Sequence, residues 1–73
     1  MSNFTAIEKI AFDLIVRSMN SSPIPERKLS ENTQEVILYA IRPHLGLRYN
    51  QEEQAEFERG MKKAWAQFNS QFE

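Results

Sequence analysis

Three times in this 73-residue chain, a residue that caps helices is followed three positions later by a glutamate, just before an apolar run. The first N–H groups of a helix have no partner inside it, so a Thr or Asn side chain accepts from one of them while the glutamate accepts from the capping residue's N–H. The three pairs are Thr5 with Glu8, Asn32 with Glu35, and Asn50 with Glu53. They predict an all-α, three-helix domain with helices at about residues 5–19, 32–42 and 51–70.

The composition restricts the kind of domain this chain forms. A chain of 73 residues is one small helical domain, 1–73, which buries only about 60% of the surface of its unfolded chain. It has no cysteine and one histidine, so we expect no disulfide, no metal site and no cofactor. With 41% hydrophobic residues, a net charge of −1, no signal peptide and no membrane span, we expect a cytoplasmic protein.

Helical spacing of apolar residues predicts the core. The first segment is apolar over more than half of its circumference, so helix 1 either lies between the other two or contacts a partner through Phe12 and Val16. In the third segment Gly60 interrupts the apolar stripe, which indicates close approach of another helix. The predicted core residues are Ile7, Ile10, Leu14, Ile37, Ile41, Phe57, Met61, Trp65 and Phe68.

The second segment leaves two interpretations open. Residues 36–41 are six apolar residues in a row, which is typical of either a buried helix or a buried strand. The capping pair favours a helix, and Pro43 predicts that it ends or kinks near Ile41, with Gly46 in a left-handed turn. The alternative is an α+β fold with a short hairpin at 36–49.

The connector between helices 1 and 2 contains two prolines. Pro23 and Pro25 fix their own backbone angles and push the preceding residues toward extended geometry, so this segment is a loop. Ile24 and Leu29 are the apolar residues that we expect to pin the loop to the core.

No constellation of catalytic residues is visible in the sequence. His44 lies beside a proline with no nucleophile or relay partner suggested, and the acidic residues Glu52, Glu53 and Glu56 balance the dipole at the start of helix 3. The chain has only two glycines, so it has no glycine-rich phosphate loop. We therefore expect that the protein is not an enzyme.

A segment rich in cations and aromatics follows the second helix. Arg and Tyr are enriched at the energetic centres of protein interfaces, so residues 42–49 are either a contact surface for an acidic protein or RNA, or an ordinary loop whose leucines pack inward. The predicted partner-binding residues are Arg42, His44, Arg48 and Tyr49, with Arg27 and Lys28 nearby in the other loop, and Phe12 and Val16 on helix 1.

These features favour a non-enzymatic protein-binding regulator. Two alternatives remain: a small helical nucleic-acid-binding protein, and a self-associating adaptor such as a homodimer. Glu52 and Glu53 at the start of helix 3 disfavour DNA recognition by that helix, because they would face phosphates.

In length, helical character and lack of catalytic groups, the chain resembles small bacteriophage-encoded regulators of host RNA polymerase, of the kind found in a Xanthomonas phage. The resemblance implies binding to the large subunits of bacterial RNA polymerase in the host cytoplasm. It also implies inhibition of sigma-dependent initiation, or antitermination.

Overall fold

The computed structural model describes residues 4–21 and 28–72, and within them the chain forms three α-helices. Helix α1 is Ala6–Ser21, α2 is Glu31–Leu45 and α3 is Gln51–Asn69, followed by a single 3-10 turn at Ser70–Phe72. The described residues contain no strand, so the all-α prediction is confirmed and the hairpin alternative at 36–49 is wrong. The predicted proline-containing stretch falls in residues 22–27, outside the described residues.

Two of the three predicted capping boxes are present. At the start of α1, the Thr5 N–H donates to Glu8 Oε1 at 3.1 Å and the Glu8 N–H donates to Thr5 Oγ1 at 3.2 Å. At the start of α3, the Asn50 N–H donates to Glu53 Oε1 at 3.0 Å and the Glu53 N–H donates to Asn50 Oδ1 at 2.9 Å. Each box satisfies two orphan N–H groups, that of the capping residue and that of the glutamate, and fixes where the helix begins.

The prediction of Asn32 as the cap of α2 is wrong. The cap is Ser30, whose backbone is extended and whose hydroxyl accepts from the Thr33 N–H at 3.2 Å. The helix therefore begins at Glu31, and Asn32 lies inside its first turn. Ser is as good a cap as Asn, and the Ser two residues upstream leaves the Asn no orphan N–H to cap.

The predicted end of α2 near Ile41 is also wrong. Pro43 lies within the last turn of the helix, which continues to Leu45, because the missing Pro43 N–H removes one backbone hydrogen bond while the residues after it still form theirs. The Gly46 N–H then donates to the Arg42 carbonyl at 3.0 Å, and the Tyr49 N–H donates to the Leu45 carbonyl at 2.9 Å. Gly46 has a φ of −63°, so the predicted left-handed turn is wrong too.

Helix α3, not α1, is the central element. Both α1 and α2 pack against α3, while no Cα atom of α1 comes within 8 Å of one in α2. Helix α3 supplies most of the core, because five of the eight buried hydrophobic residues of the described chain lie on it. Its buried residues are Phe57, Gly60, Met61, Ala64, Trp65 and Phe68.

The predicted core is confirmed on α3 and wrong in part on α1. Ile7, Ile37 and Ile41 are half-buried and pack against the core, but Ile10 is 52% exposed and Leu14 is 48% exposed. Helix α1 turns a different side toward α3, the side that carries Glu8 and Ala11, so Ile10 and Leu14 face outward. The buried residues that the prediction missed are Glu8, Ala11, Leu38, Leu45 and Ala64.

Gly60 marks the close approach of α1 and α3, as the sequence predicted. A Cβ atom built on Gly60 would collide with the Glu8 carbonyl oxygen, and would lie 2.8 Å from Glu8 Cα and 2.9 Å from Ala11 Cβ. Only a residue without a side chain lets the two helix backbones meet at this distance.

Helix α2 is tied to α3 at both of its ends. At its start, the Leu29 N–H donates to Asn69 Oδ1 at 2.8 Å and the Leu29 carbonyl accepts from Asn69 Nδ2 at 3.0 Å. Near its end, Arg42 bonds Glu58. Leu29 also packs against the core, which confirms it as an anchor of the connector, whereas Ile24 lies outside the described residues.

Across residues 4–21 and 28–72, no helix is both long and apolar enough to cross a lipid bilayer.

The contact at Gly60 predicts opposite outcomes for the two glycines of this chain. Gly60→Ala adds a methyl group between two backbones, so we expect a loss of about 1–3 kcal/mol in the free energy of unfolding, although alanine is the better helix former. Gly46→Ala is the matched control. Its Cβ would meet only ordinary contacts at 3.6 Å, so we expect no loss and a gain of up to about 1 kcal/mol. Urea unfolding of both variants measures the difference, and equal stability would contradict the close approach.

Candidate functional site

Arg42, the first of the predicted partner-binding residues, pairs with Glu58 of α3 within the domain. Its Nε donates to Glu58 Oε2 at 3.2 Å and its Nη2 donates to Glu58 Oε1 at 3.0 Å, a two-pronged pair between α2 and α3. Glu35 lies 3.9 Å from the same guanidinium. The hydrogen bonds to Glu58 and its charge raise the pKa of the Arg42 guanidinium. Arg42 is still 43% exposed, so a partner can reach it without breaking this pair.

The other predicted residues of the 42–49 segment divide into exposed and packed ones. His44 and Arg48 are exposed. Tyr49 is half-buried, with its ring centroid 5.9 Å from that of Phe57, and its carbonyl accepts from Gln54 Nε2 at 2.9 Å. The Tyr49 ring therefore packs against the core, while the two basic residues face solvent.

Phe12 and Val16 are half-buried on a different part of the surface. Phe4 covers Phe12, with ring centroids 4.9 Å apart, and Lys63 Nζ lies 4.8 Å from the Phe4 ring centroid. On α3, Lys63 lies on the side of Phe4 and Phe12, and Glu58 lies on the side of Arg42. These two α3 residues are five positions apart, so their side chains point about 140° apart around the helix axis. The two predicted sets of residues are therefore not brought together. Lys28 is exposed, and Arg27 lies outside the described residues.

The sequence analysis missed a line of exposed apolar side chains on α2 and in the turn that follows it. Val36 is 62% exposed, Tyr39 is 77% exposed and Leu47, just beyond the helix end, is 85% exposed. Ala40 and Pro43 lie between them and are exposed as well. We call these five residues the outer stripe of α2. Val36, Tyr39, Ala40 and Pro43 lie on one face of the helix, and Leu47 follows in the turn after its end.

A signal for the outer stripe was present in the sequence. The run at residues 36–41 is apolar at every position, and a helix on the surface of a three-helix domain buries only one side. Leu38 points into the core with no exposed surface, and Ile37 and Ile41 flank it half-buried. The rest of the run must face outward.

Glu8 is a buried carboxylate that pairs with two half-exposed cations, a cluster that the sequence analysis also missed. Its side chain is only 5% exposed, yet Arg59 Nε donates to Oε2 at 2.8 Å and Lys63 Nζ donates to Oε1 at 3.1 Å. The hydrogen bond from Arg59 most, then those from Lys63 and the Thr5 N–H, lower the pKa of the Glu8 carboxyl from 4.5 to about 2. Three donors occupy this carboxylate, so its role is to hold α1 on α3.

The described residues offer little for catalysis or metal binding. Within residues 4–21 and 28–72, no three His, Asp or Glu side chains are grouped to hold a metal ion. The surface depressions are shallow, and one of them is lined by Gln51, Gln54, Ala55, Glu58, Arg59 and Lys62. The outer stripe of α2 is therefore the candidate site.

The buried Glu8 cluster predicts a specific loss of stability in acid. Because the folded pKa lies below the unfolded value of 4.5, ionised Glu8 stabilises the fold fully above that value and progressively less as the pH falls toward 2. Glu8→Gln keeps the capping acceptor but removes the charge, so we expect a lower unfolding midpoint near neutral pH and a shallower decline between about pH 5 and 2.

Glu53→Gln is the matched control for Glu8. Glu53 occupies the same place in the α3 capping box, and no basic side chain pairs with it in the described chain. Chemical unfolding over the pH range should show a smaller change for this variant. Equal effects of the two substitutions would contradict the anchoring role of Glu8.

Comparison with known protein families, with curated proteins and with solved structures found no match to this chain.

Proposed function

We propose that this chain is a non-enzymatic, protein-binding regulator that docks on its partner through the outer stripe of α2. The observation that carries the proposal is the exposure of Val36 and Tyr39, at 62% and 77%, on one face of a 15-residue helix, together with that of Leu47, at 85%, in the turn after the helix. Single exposed apolar residues are normal on a protein surface, but a contiguous apolar face is typical of an interaction site.

The side chains of the outer stripe contribute binding energy when a partner buries them. Burying a Val or Leu side chain contributes about 1.5–3 kcal/mol, and tyrosine is among the residues most enriched where interfaces gain their energy. Tyr39 combines a large apolar ring with a hydroxyl that hydrogen-bonds at the edge of an interface. At about 1.5 Å per residue, α2 offers a face some 22 Å long, which suits a groove or a second helix.

The anchoring of α2 also supports the proposal. The Leu29–Asn69 hydrogen bonds at its start and the Arg42–Glu58 pair near its end hold the helix on α3. A helix that is already held in place loses less conformational entropy on binding, so more of the contact energy contributes to affinity.

Bacterial RNA polymerase is the partner that we propose to test first. This choice rests on the resemblance in length, helical character and lack of catalytic groups to small phage regulators of that enzyme. On this proposal the domain works in the cytoplasm of a bacterial host, binds the large polymerase subunits and blocks sigma-dependent initiation or promotes antitermination. Arg42, His44 and Arg48 border the stripe and are the predicted polar contacts of the complex.

A binding measurement with purified bacterial RNA polymerase tests the proposal. The double variant Tyr39→Ser, Leu47→Ser removes two exposed apolar side chains without touching the core, so we expect affinity to fall at least about tenfold, the effect of losing roughly 1.4 kcal/mol. Leu14→Ser is the control, since Leu14 is a half-exposed apolar residue on α1. It should bind as the unaltered protein does.

Two different outcomes would contradict the two parts of the proposal, the docking surface and the partner. If polymerase binds the double variant and the unaltered protein equally, the stripe is not the docking surface. If polymerase does not bind the unaltered protein at all, this partner is wrong.

A further inference from the structure

We infer that the partner segment which covers the outer stripe is an amphipathic helix with lysine or arginine along one flank. The inference rests on the proposed function, because it concerns the same surface. It comes from the charges that border the stripe, which differ in sign between its two edges.

One edge of the stripe is acidic. Successive residues of a helix turn by about 100°, so Glu35 and Arg42 lie on the same side of α2 next to Tyr39, with Glu31 on that side at the start of the helix. The guanidinium of Arg42 is engaged by Glu58 at 3.0 and 3.2 Å and lies 3.9 Å from Glu35. Lys62, one turn after Glu58 on α3, lines the same surface depression as Glu58. Three carboxylates against these two cations still leave this edge with a net negative charge.

Within α2 and the turn that follows it, the opposite edge carries no carboxylate. The same rotation places Thr33 and His44 there, followed by Arg48 in the turn after the helix, and all three are exposed. A helix lying on the stripe therefore meets negative charge along one flank and neutral or positive groups along the other. Basic residues on the first flank complement this surface.

An antiparallel second copy of this chain fits the stripe poorly. When two identical helices pair antiparallel about a two-fold axis, each edge faces its own copy. The net-negative edge of one chain then runs along the net-negative edge of the other, with Glu31 and Glu35 opposite the end that carries Arg42 and Glu58. Like charges disfavour this pairing, whereas a different helix with basic residues on the proper flank avoids it.

Two synthetic amphipathic helical peptides of about 20 residues test the inference. They share one apolar seam and one neutral flank, and they differ only in carrying lysines or glutamates on the second flank. In a titration of isotope-labelled protein followed by NMR, we expect the lysine peptide to shift the amides of Val36, Tyr39 and Leu47. It should bind at least about fivefold more tightly than the glutamate peptide, with the preference fading at about 0.5 M salt.

Matched variants assign the preference to the acidic edge. The double variant Glu31→Gln, Glu35→Gln should bring the two affinities close together. The double variant Glu52→Gln, Glu56→Gln makes the same charge change at the start of α3 and should leave the preference intact.

The results that would overturn the inference are distinct from failure of the proposed function. Equal binding of both peptides to the stripe would remove the charge preference while leaving the stripe as a docking surface. A dimer in light scattering that Tyr39→Ser dissociates would show that a second copy is the occupant. Binding of neither peptide would overturn the helical partner, while the polymerase measurement decides the proposed function independently.

Discussion

The crossing of α1 over α3 at Gly60 is the constraint on which the rest of this structure depends. With no side chain at Gly60, the backbone of α1 at Glu8 rests directly on α3, and Ala11 fits beside it. At this short distance Glu8 becomes buried and meets Arg59 and Lys63 at 2.8 and 3.1 Å. A buried carboxylate without partners would destabilise the fold. The close contact that buries Glu8 therefore also requires the two cations that pair with it.

The same crossing determines which surfaces remain uncovered. Because α1 turns its Glu8 and Ala11 side toward α3, Ile10 and Leu14 stay about half exposed. Because α3 is central and α1 does not approach α2, nothing in the described chain covers the outside of α2, where Val36, Tyr39 and Leu47 lie. So small a core is complete with few large apolar side chains. The remaining apolar residues of α2 stay on the surface, and they form the proposed docking surface.

Local signals predicted much of the fold, and long-range contacts account for what they missed. The capping boxes at Thr5 and Asn50, the apolar stripe of α3 and the role of Gly60 follow from short spacings in the sequence. The orientation of α1 does not, because its apolar residues surround most of the helix and Glu8 looks like a surface residue until Arg59, 51 positions away, is placed beside it. The outer stripe of α2 was missed for a similar reason. The sequence shows that residues 36–41 are all apolar, but only the contact of α2 with α3 shows which of them are exposed.

Nuclear Overhauser contacts across the α1–α3 crossing test this account most directly. The account predicts strong contacts from the Gly60 Hα protons to the Glu8 Hα and to the Ala11 methyl group, since these groups meet at van der Waals distance. Contacts from the Ile10 or Leu14 methyl groups to the buried side of α3, with none from Glu8 or Ala11 to Gly60, would show that α1 presents another face and would contradict the account.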